Sequence, residues 1–133
     1  MWMKITAPID QHKGSTFVLY VEDDAASRSL VRHAFEHRSN WRLQLASSLQ
    51  EAEQLLSLAP DIILLDIQLP DGTGYDLLST IRCCPETSNI PVIALTANAM
   101  HEQVENGLAS GFNHYLTKPL NLNQLFDLIE SLR

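Results

Sequence analysis

The stretch DIILLDIQLPDGTG, residues 61–74, holds the clearest strand of the sequence and ends it on an acid. Ile62 to Leu65 form a continuous apolar run, which is typical of a strand covered by helices on both faces. Asp66 follows at once, and Asp71 and two glycines come soon after. The pattern predicts a buried central strand. It leaves two interpretations of Asp66: a turn residue that ends the strand, or a reactive carboxylate held at the strand's tip.

Short apolar runs and longer amphipathic segments alternate on both sides of this strand. The predicted strands are residues 17–21, 41–46, 61–66, 91–96 and 114–118. Five helices are predicted. The first covers about residues 25–37, and the second begins at the capping-box spacing of Ser48 and Glu51. The third and fourth cover about residues 75–83 and 99–110, and Asn121 or Asn123 caps the last.

Five strand–helix units in strict alternation predict an α/β fold with a parallel sheet between two layers of helices. The second strand, WRLQLA, alternates polar and apolar residues, which is typical of an edge strand. In such open sheets ligands bind beyond the carboxyl ends of the strands. The residues at those ends are therefore the candidates for function.

Length and composition indicate one globular domain. A chain of 133 residues suits a single core. Residues 1–15 show no period and are interpreted as a flexible tail or linker before a folded domain of residues 16–133. No apolar stretch approaches the roughly 20 residues of a membrane helix, so we expect a cytoplasmic protein without membrane contact. The net charge of -7 argues against nucleic acid and favours a cationic partner or divalent metal.

Reactive polar groups follow four of the five predicted strands. They are Glu22, Asp23 and Asp24 after the first, Asp66 after the third, Thr96 at the fourth and Lys118 after the fifth. Each alone has an ordinary explanation as a turn, cap or surface residue. Neighbouring first and third strands would bring acids together, and two carboxylates about 4 Å apart repel by roughly 4 kcal/mol at an effective dielectric of 20.

A hard divalent cation such as Mg²⁺ would relieve that repulsion, because it prefers oxygen ligands and keeps waters that a phosphate can replace. Lys118 alone would offset only part of the charge. A metal-bound Asp at a strand tip, flanked by a hydroxyl and an ammonium group, has the parts for phosphoryl transfer.

In order and spacing these motifs resemble the receiver domain of two-component response regulators, the CheY-like family, from Phe17 to Leu132. The matching segments are VEDD (21–24), LLDIQLPDGTG (64–74), PVIALTA (91–97) and YLTKP (115–119). The sequence around the last two segments is similar to that of receivers from hybrid sensor histidine kinases and phosphorelays. The resemblance implies a flavodoxin-like three-layer sandwich with five parallel strands in the order 2-1-3-4-5 and five helices.

The same resemblance implies roles for individual residues. Asp66 would be the phosphoacceptor, with the Thr96 hydroxyl and the Lys118 ammonium holding the phosphoryl group. The resemblance also implies Mg²⁺ as cofactor, held by Glu22, Asp23, Asp66 and the backbone carbonyl of Gln68. The bond between Lys118 and Pro119 would be cis. The reaction would be self-catalysed phosphoryl transfer and autodephosphorylation, so we do not expect a metabolic enzyme.

Signalling would then run through a conformational switch of Thr96 and Tyr115. The expected phosphodonor is a sensor histidine kinase or a histidine phosphotransfer protein. The face made by the fourth helix, fifth strand and fifth helix would bind a downstream protein, and the family pattern also allows a homodimer. Because the chain ends with its last helix, we expect no output domain.

Other interpretations compete with this one. A dehalogenase-type phosphatase needs a second Asp two residues after its nucleophile, where this chain has Gln68. A flavodoxin needs a phosphate-cradling loop after the first strand, where three acids stand here. GTG at 72–74 lacks the third glycine of a dinucleotide fingerprint. A degenerate receiver, which binds partners without being phosphorylated, stays open, although such domains tend to lose the acids or the lysine.

Overall fold

The computed structural model describes residues 15–97 and 110–132. Five parallel strands form one sheet: β1 (Thr16–Val21), β2 (Trp41–Ala46), β3 (Ile62–Asp66), β4 (Val92–Thr96) and β5 (His114–Thr117). Their order across the sheet is β2-β1-β3-β4-β5. The flavodoxin-like α/β fold, its strand order and the edge position of β2 are confirmed.

Four helices are described: α1 (Ala25–Phe35), α2 (Leu49–Leu55), α3 (Gly74–Cys83) and α4 (Leu122–Leu132). A 3-10 turn, Leu56–Leu58, extends α2. The helix predicted at 99–110 falls almost wholly on residues 98–109, and nearly all of the predicted tail falls on residues 1–14; both lie outside the described residues. Within the described ranges, no helix is long and apolar enough to cross a bilayer.

Alternate residues of the sheet build two cores, one on each face. Val18, Tyr20 and Leu64 point to the face that α1 and α4 cover. Leu19 and Leu65 point to the opposite face, against α2 and α3. The residues of β3 are buried along its whole length, because helices lie on both sides of it. The strand therefore gives a rigid base for whatever follows it.

Side-chain caps fix where the helices begin. Asp24 accepts hydrogen bonds from the Ser27 amide at 3.0 Å and the Ser27 hydroxyl at 2.6 Å, and so caps α1. Ser48 caps α2 as predicted, accepting from the Glu51 amide at 3.2 Å. Of the two predicted caps of α4, Asn121 is the one used: its side chain accepts from the Gln124 amide at 3.1 Å.

The turn after β3 is tied to a second helix. Gln68–Leu69 and Gly72–Thr73 form a two-residue antiparallel hairpin around Asp71. The Asp71 carboxylate accepts hydrogen bonds from the backbone amides of Leu49, at 2.9 Å, and Gln50, at 3.1 Å. Those bonds lower the pKa of Asp71, the one from Leu49 most strongly. Asp71 is thus a turn residue that also caps the start of α2.

Candidate functional site

The carboxyl ends of four strands enclose an open cleft of about 470 Å³. The ends of β1, β3, β4 and β5 contribute to it, whereas β2 at the sheet edge does not. The lining residues are Glu22, Asp23, Asp24, Asp66, Gln68, Leu69, Pro70, Thr96, Ala97 and Lys118. Every predicted site residue except Tyr115 therefore lines this cleft.

Strand register brings the acids together. Val21 of β1 lies beside Leu65 of β3, so the residues that follow them, Glu22 and Asp66, stand next to each other. Glu22 is fully buried and Asp66 is 6% exposed, whereas Asp23 faces solvent. One carboxylate oxygen from each of these three residues lies within 4.8 Å of the other two. Three hard oxygen donors that line a solvent-open cleft fit the coordination preference of Mg²⁺.

Lys118 is the cation that faces these acids. Its ammonium nitrogen lies 2.6 Å from Glu22 Oε1 and 2.9 Å from Asp66 Oδ2. Burial by itself would lower the pKa of Lys118, but the hydrogen bonds and charges of the two carboxylates outweigh burial and raise it. The Lys118 amide donates to the Thr96 carbonyl at 2.8 Å, and the peptide bond to Pro119 is cis. One positive charge thus bridges two of the three acids.

The two oxygens of Asp66 have different partners. Oδ1 accepts a hydrogen bond from the Gln68 amide at 3.2 Å, as a turn residue does, and Oδ2 pairs with Lys118 in the cleft. Gly74 packs behind this turn: a Cβ there would lie 2.9 Å from the Asp66 carbonyl oxygen and 3.1 Å from the Cα of Ile67. Asp66 therefore makes the bond of a turn residue with one oxygen and places the other in the cleft, whereas its reactivity stays a prediction.

Glu22 accepts two further hydrogen bonds, one from the core and one from the cleft lining. The hydroxyl of Tyr20, a fully buried residue of β1, donates to Glu22 Oε1 at 3.3 Å. The Asp24 amide donates to Glu22 Oε2 at 3.1 Å. Burial, followed by the charge of Glu22, raises the pKa of Tyr20, so its hydroxyl is protonated. Sequence reasoning missed Tyr20, because a tyrosine inside an apolar strand is ordinary core composition.

Residues 18–130 match the family model for the response regulator receiver domain. This chain belongs to the response regulator receiver family. The receiver is 35% identical over 114 residues to an uncharacterized 14.6 kDa protein of Leptolyngbya boryana, covering 85% of this chain and 86% of that protein. It is 33% identical over 120 residues to the signal transduction histidine-protein kinase BarA of Escherichia coli (strain K12), covering 90% of this chain. The chain spans only 13% of BarA's length.

A solved structure agrees with the sequence relationship. The receiver superposes on the receiver domain of Francisella response regulator 1452 with a TM-score of 0.81 and 30% identity, covering 89% of this chain and 96% of that one. The predicted resemblance to two-component receivers is confirmed. The degenerate form, which is also a receiver, is distinguished only by its chemistry.

The remaining predicted residue of the receiver, Tyr115, lies outside the lining of the cleft. It stands on β5 beside Ala94 of β4, and its hydroxyl lies 2.9 Å from the hydroxyl of Tyr75 on α3. The ring of Phe112 makes edge contacts with both tyrosine rings, at centroid distances of 5.4 Å to Tyr75 and 5.8 Å to Tyr115. Burial, followed by the bond to Tyr75, raises the pKa of Tyr115. Sequence reasoning did not identify Tyr75 as its partner.

Proposed function

We propose that this receiver accepts a phosphoryl group on Asp66 from a phosphohistidine and uses it to change protein partners. The observation that carries this proposal is the Lys118 ammonium, bonded at once to Glu22 and Asp66 at the floor of an open cleft. A structural ion pair has no need of a third acid beside it. Here Asp23 adds one that faces solvent, where a cation can approach.

In the proposed reaction a carboxylate oxygen of Asp66 attacks phosphorus. The new O–P bond forms as the P–N bond of the phosphohistidine breaks, and the leaving imidazole keeps the electron pair and takes up a proton. Lys118 is placed to follow a phosphoryl oxygen, since it already donates to Asp66, and the Thr96 hydroxyl would hold another.

The acidic cleft would hold Mg²⁺ through Glu22, Asp23, Asp66 and the Gln68 carbonyl. When bound, the ion supplies positive charge that offsets the charge of the acids and of the incoming phosphoryl group. The protein's own contribution is to fix the carboxylates before the donor arrives. Such a reaction consumes no metabolite, so the domain would work as a switch that catalyses its own phosphorylation and dephosphorylation.

We further propose that a histidine kinase or a histidine phosphotransfer protein is the donor. The kinship with BarA, which is named a histidine-protein kinase, supports this choice. Phosphorylation would move Thr96 and Tyr115 and alter the face that includes β5 and α4, where a downstream protein or a second copy would bind. We place this signalling in the cytoplasm.

Acetyl phosphate with Mg²⁺ tests the proposal without knowledge of the kinase. We expect intact-mass analysis to show one added phosphoryl group on the wild type and none on Asp66→Ala. Asp127→Ala, which removes an exposed carboxylate of α4 outside the cleft, is the matched control and should keep the adduct. If the wild type stays unmodified, the degenerate receiver is the better description. If Asp66→Ala is modified equally, Asp66 is not the acceptor and the proposal fails.

A further inference from the structure

Tyr20 is the one residue of the buried β1 core that makes a hydrogen bond to an acid of the cleft, among the side-chain bonds of the described residues. Its ring packs among apolar side chains of the core covered by α1 and α4, where a phenylalanine would fill nearly the same space. The hydroxyl is the difference, and it reaches Glu22 Oε1 at 3.3 Å. A carboxylate can only accept, so the tyrosine donates.

The contact between Tyr20 and Glu22 depends on the length of the Glu22 side chain. An aspartate at the same position would be one methylene shorter, and its oxygens would retreat by about 1.5 Å. At 3.3 Å the contact is already longer than the roughly 2.5–3.0 Å usual for an O–H donor, so this weak bond would not survive that retreat. Tyr20 and Glu22 are therefore matched in size, and each loses its partner if the other is shortened.

Both oxygens of Glu22 already accept hydrogen bonds. Tyr20 and Lys118 share Oε1, and the Asp24 amide holds Oε2. Without the Tyr20 hydroxyl, Lys118 would be the only donor to Oε1 among these bonds. Lys118 already pairs with Oε1 at 2.6 Å. Without the Tyr20 hydroxyl the position of Oε1 would follow the ammonium alone, whose positive charge repels a metal cation.

We propose that Tyr20 is a positioning residue for the acidic site, whose hydroxyl keeps the Glu22 carboxylate turned toward a bound Mg²⁺. The inference rests on the proposed function, because it takes the cleft to bind Mg²⁺. Outer partners of metal ligands act in this way by fixing the ligand's orientation, and losing one costs about 10-fold or more in metal affinity. Tyr20 would touch neither the ion nor the phosphoryl group.

Calorimetric titration of the full chain with MgCl₂ tests the inference. We expect Tyr20→Phe to raise the Kd for Mg²⁺ about 10-fold. Tyr75→Phe is the matched control, since it also removes a tyrosine hydroxyl bonded within the fold, and it should leave the Kd unchanged. In a Glu22→Asp background, where the hydroxyl has no carboxylate to reach, Tyr20→Phe should have no further effect.

Unchanged or tighter Mg²⁺ binding by Tyr20→Phe would overturn the inference. So would an equal loss with and without the Glu22→Asp change, because that would mean Tyr20 acts through general packing. A wild type that binds no Mg²⁺ would refute the metal part of the proposed function, and this inference with it. Wild-type binding with an unaffected Tyr20→Phe would refute the inference alone.

A measurement on the wild type covers the case in which Tyr20→Phe does not fold. The ¹³Cζ chemical shift of Tyr20 reports on the hydrogen bond of its hydroxyl. As MgCl₂ is added, we expect this shift to change in step with the Mg²⁺ occupancy measured by calorimetry. The Tyr75 signal serves as the internal reference, since Tyr75 bonds to Tyr115 and not to an acid. A Tyr20 signal that does not move at saturating Mg²⁺ would overturn the inference.

Discussion

Lys118 links the acidic cleft to the stability of the folded chain. Its pKa is raised in the folded state by bonds to Glu22 and Asp66, which outweigh the opposite effect of burial. The folded state therefore keeps this proton at pH values where the unfolded chain releases it. Its contribution to stability is complete below the unfolded pKa of about 10.4 and is lost as pH rises through the folded pKa.

We expect the free energy of unfolding, measured in urea at a series of pH values, to fall more steeply with pH in the wild type than in Lys118→Met above about pH 10.4. The buried Tyr20 and the half-buried Tyr115 also have raised pKa values, so their ionisation likewise lowers the stability of the fold as pH rises. They are unchanged in the variant, so they form a common baseline. Equal slopes in the two proteins would mean that the lysine does not gain its pKa shift from the fold.

At the scale of single residues, the sequence indicated which groups stand at the strand ends but not how they are held. Asp66, Thr96 and Lys118 follow strands in a pattern that any parallel sheet would bring to one edge. The bonds of the Tyr20 and Tyr75 hydroxyls could not be predicted. The partner of Tyr20 is only two residues away, but the bond depends on how both side chains are turned, and the partner of Tyr75 is 40 residues away. Asp71 beside Gly72 is typical of a turn, but its bond to the start of α2 joins residues 22 apart and leaves no signal in the sequence.

At the scale of secondary-structure elements, Arg82 connects helix α3 to two loops. From the end of α3 it donates to the carbonyls of Ser88 and Ile90 in the following loop, at 3.0 and 2.7 Å. It also donates to the Gly111 carbonyl and to Asn113 Oδ1, each at 2.8 Å, just before β5. The planar guanidinium thus donates hydrogen bonds to oxygens of two loops, in place of backbone N–H groups.

We expect Arg82→Lys to lower the free energy of unfolding by about 2 kcal/mol, because one ammonium cannot donate to the oxygens of both loops as the forked guanidinium does. Chemical denaturation is the measurement, and the slope with denaturant should stay the same. Arg32→Lys, the same change at an exposed position of α1, should have little effect. If the two variants lose equal stability, the loop contacts of Arg82 contribute nothing particular.

Element boundaries were predictable to within one or two residues where caps or buried runs marked them. The predicted helix 25–37 ends at Phe35, because the capping and packing that hold α1 stop there. The two-residue hairpin after β3 was not predicted, since two backbone pairs leave no periodic signal in the sequence. The order of the strands followed from the family resemblance and not from periodicity, which carries no information on neighbours.

For the whole molecule, metal binding and folding should be linked. If Mg²⁺ binds the folded chain and not the unfolded one, an ion concentration 100 times the Kd adds about 2.7 kcal/mol to stability. We expect the melting temperature to rise with MgCl₂ and to rise less in Asp23→Asn, which weakens the exposed edge of the acidic cleft.

Sodium chloride at matched ionic strength separates this linkage from screening. Salt should reduce the repulsion among the acids in both proteins, whereas the gain from Mg²⁺ should depend on Asp23. A gain that is the same for the wild type, Asp23→Asn and sodium chloride would show that the cleft responds to ionic strength and not to a bound ion.

Gly74 limits which sequences this part of the chain can accept. Its Cα faces the backbone of Asp66 and Ile67, and a Cβ at 2.9 Å from a main-chain oxygen cannot be relieved by a rotamer change. In a library randomised at this position, selection for folding alone should recover glycine, even when the output of signalling is not assayed. A glycine retained at position 74 would then reflect the lack of space behind Asp66, and not a requirement of the chemistry at Asp66.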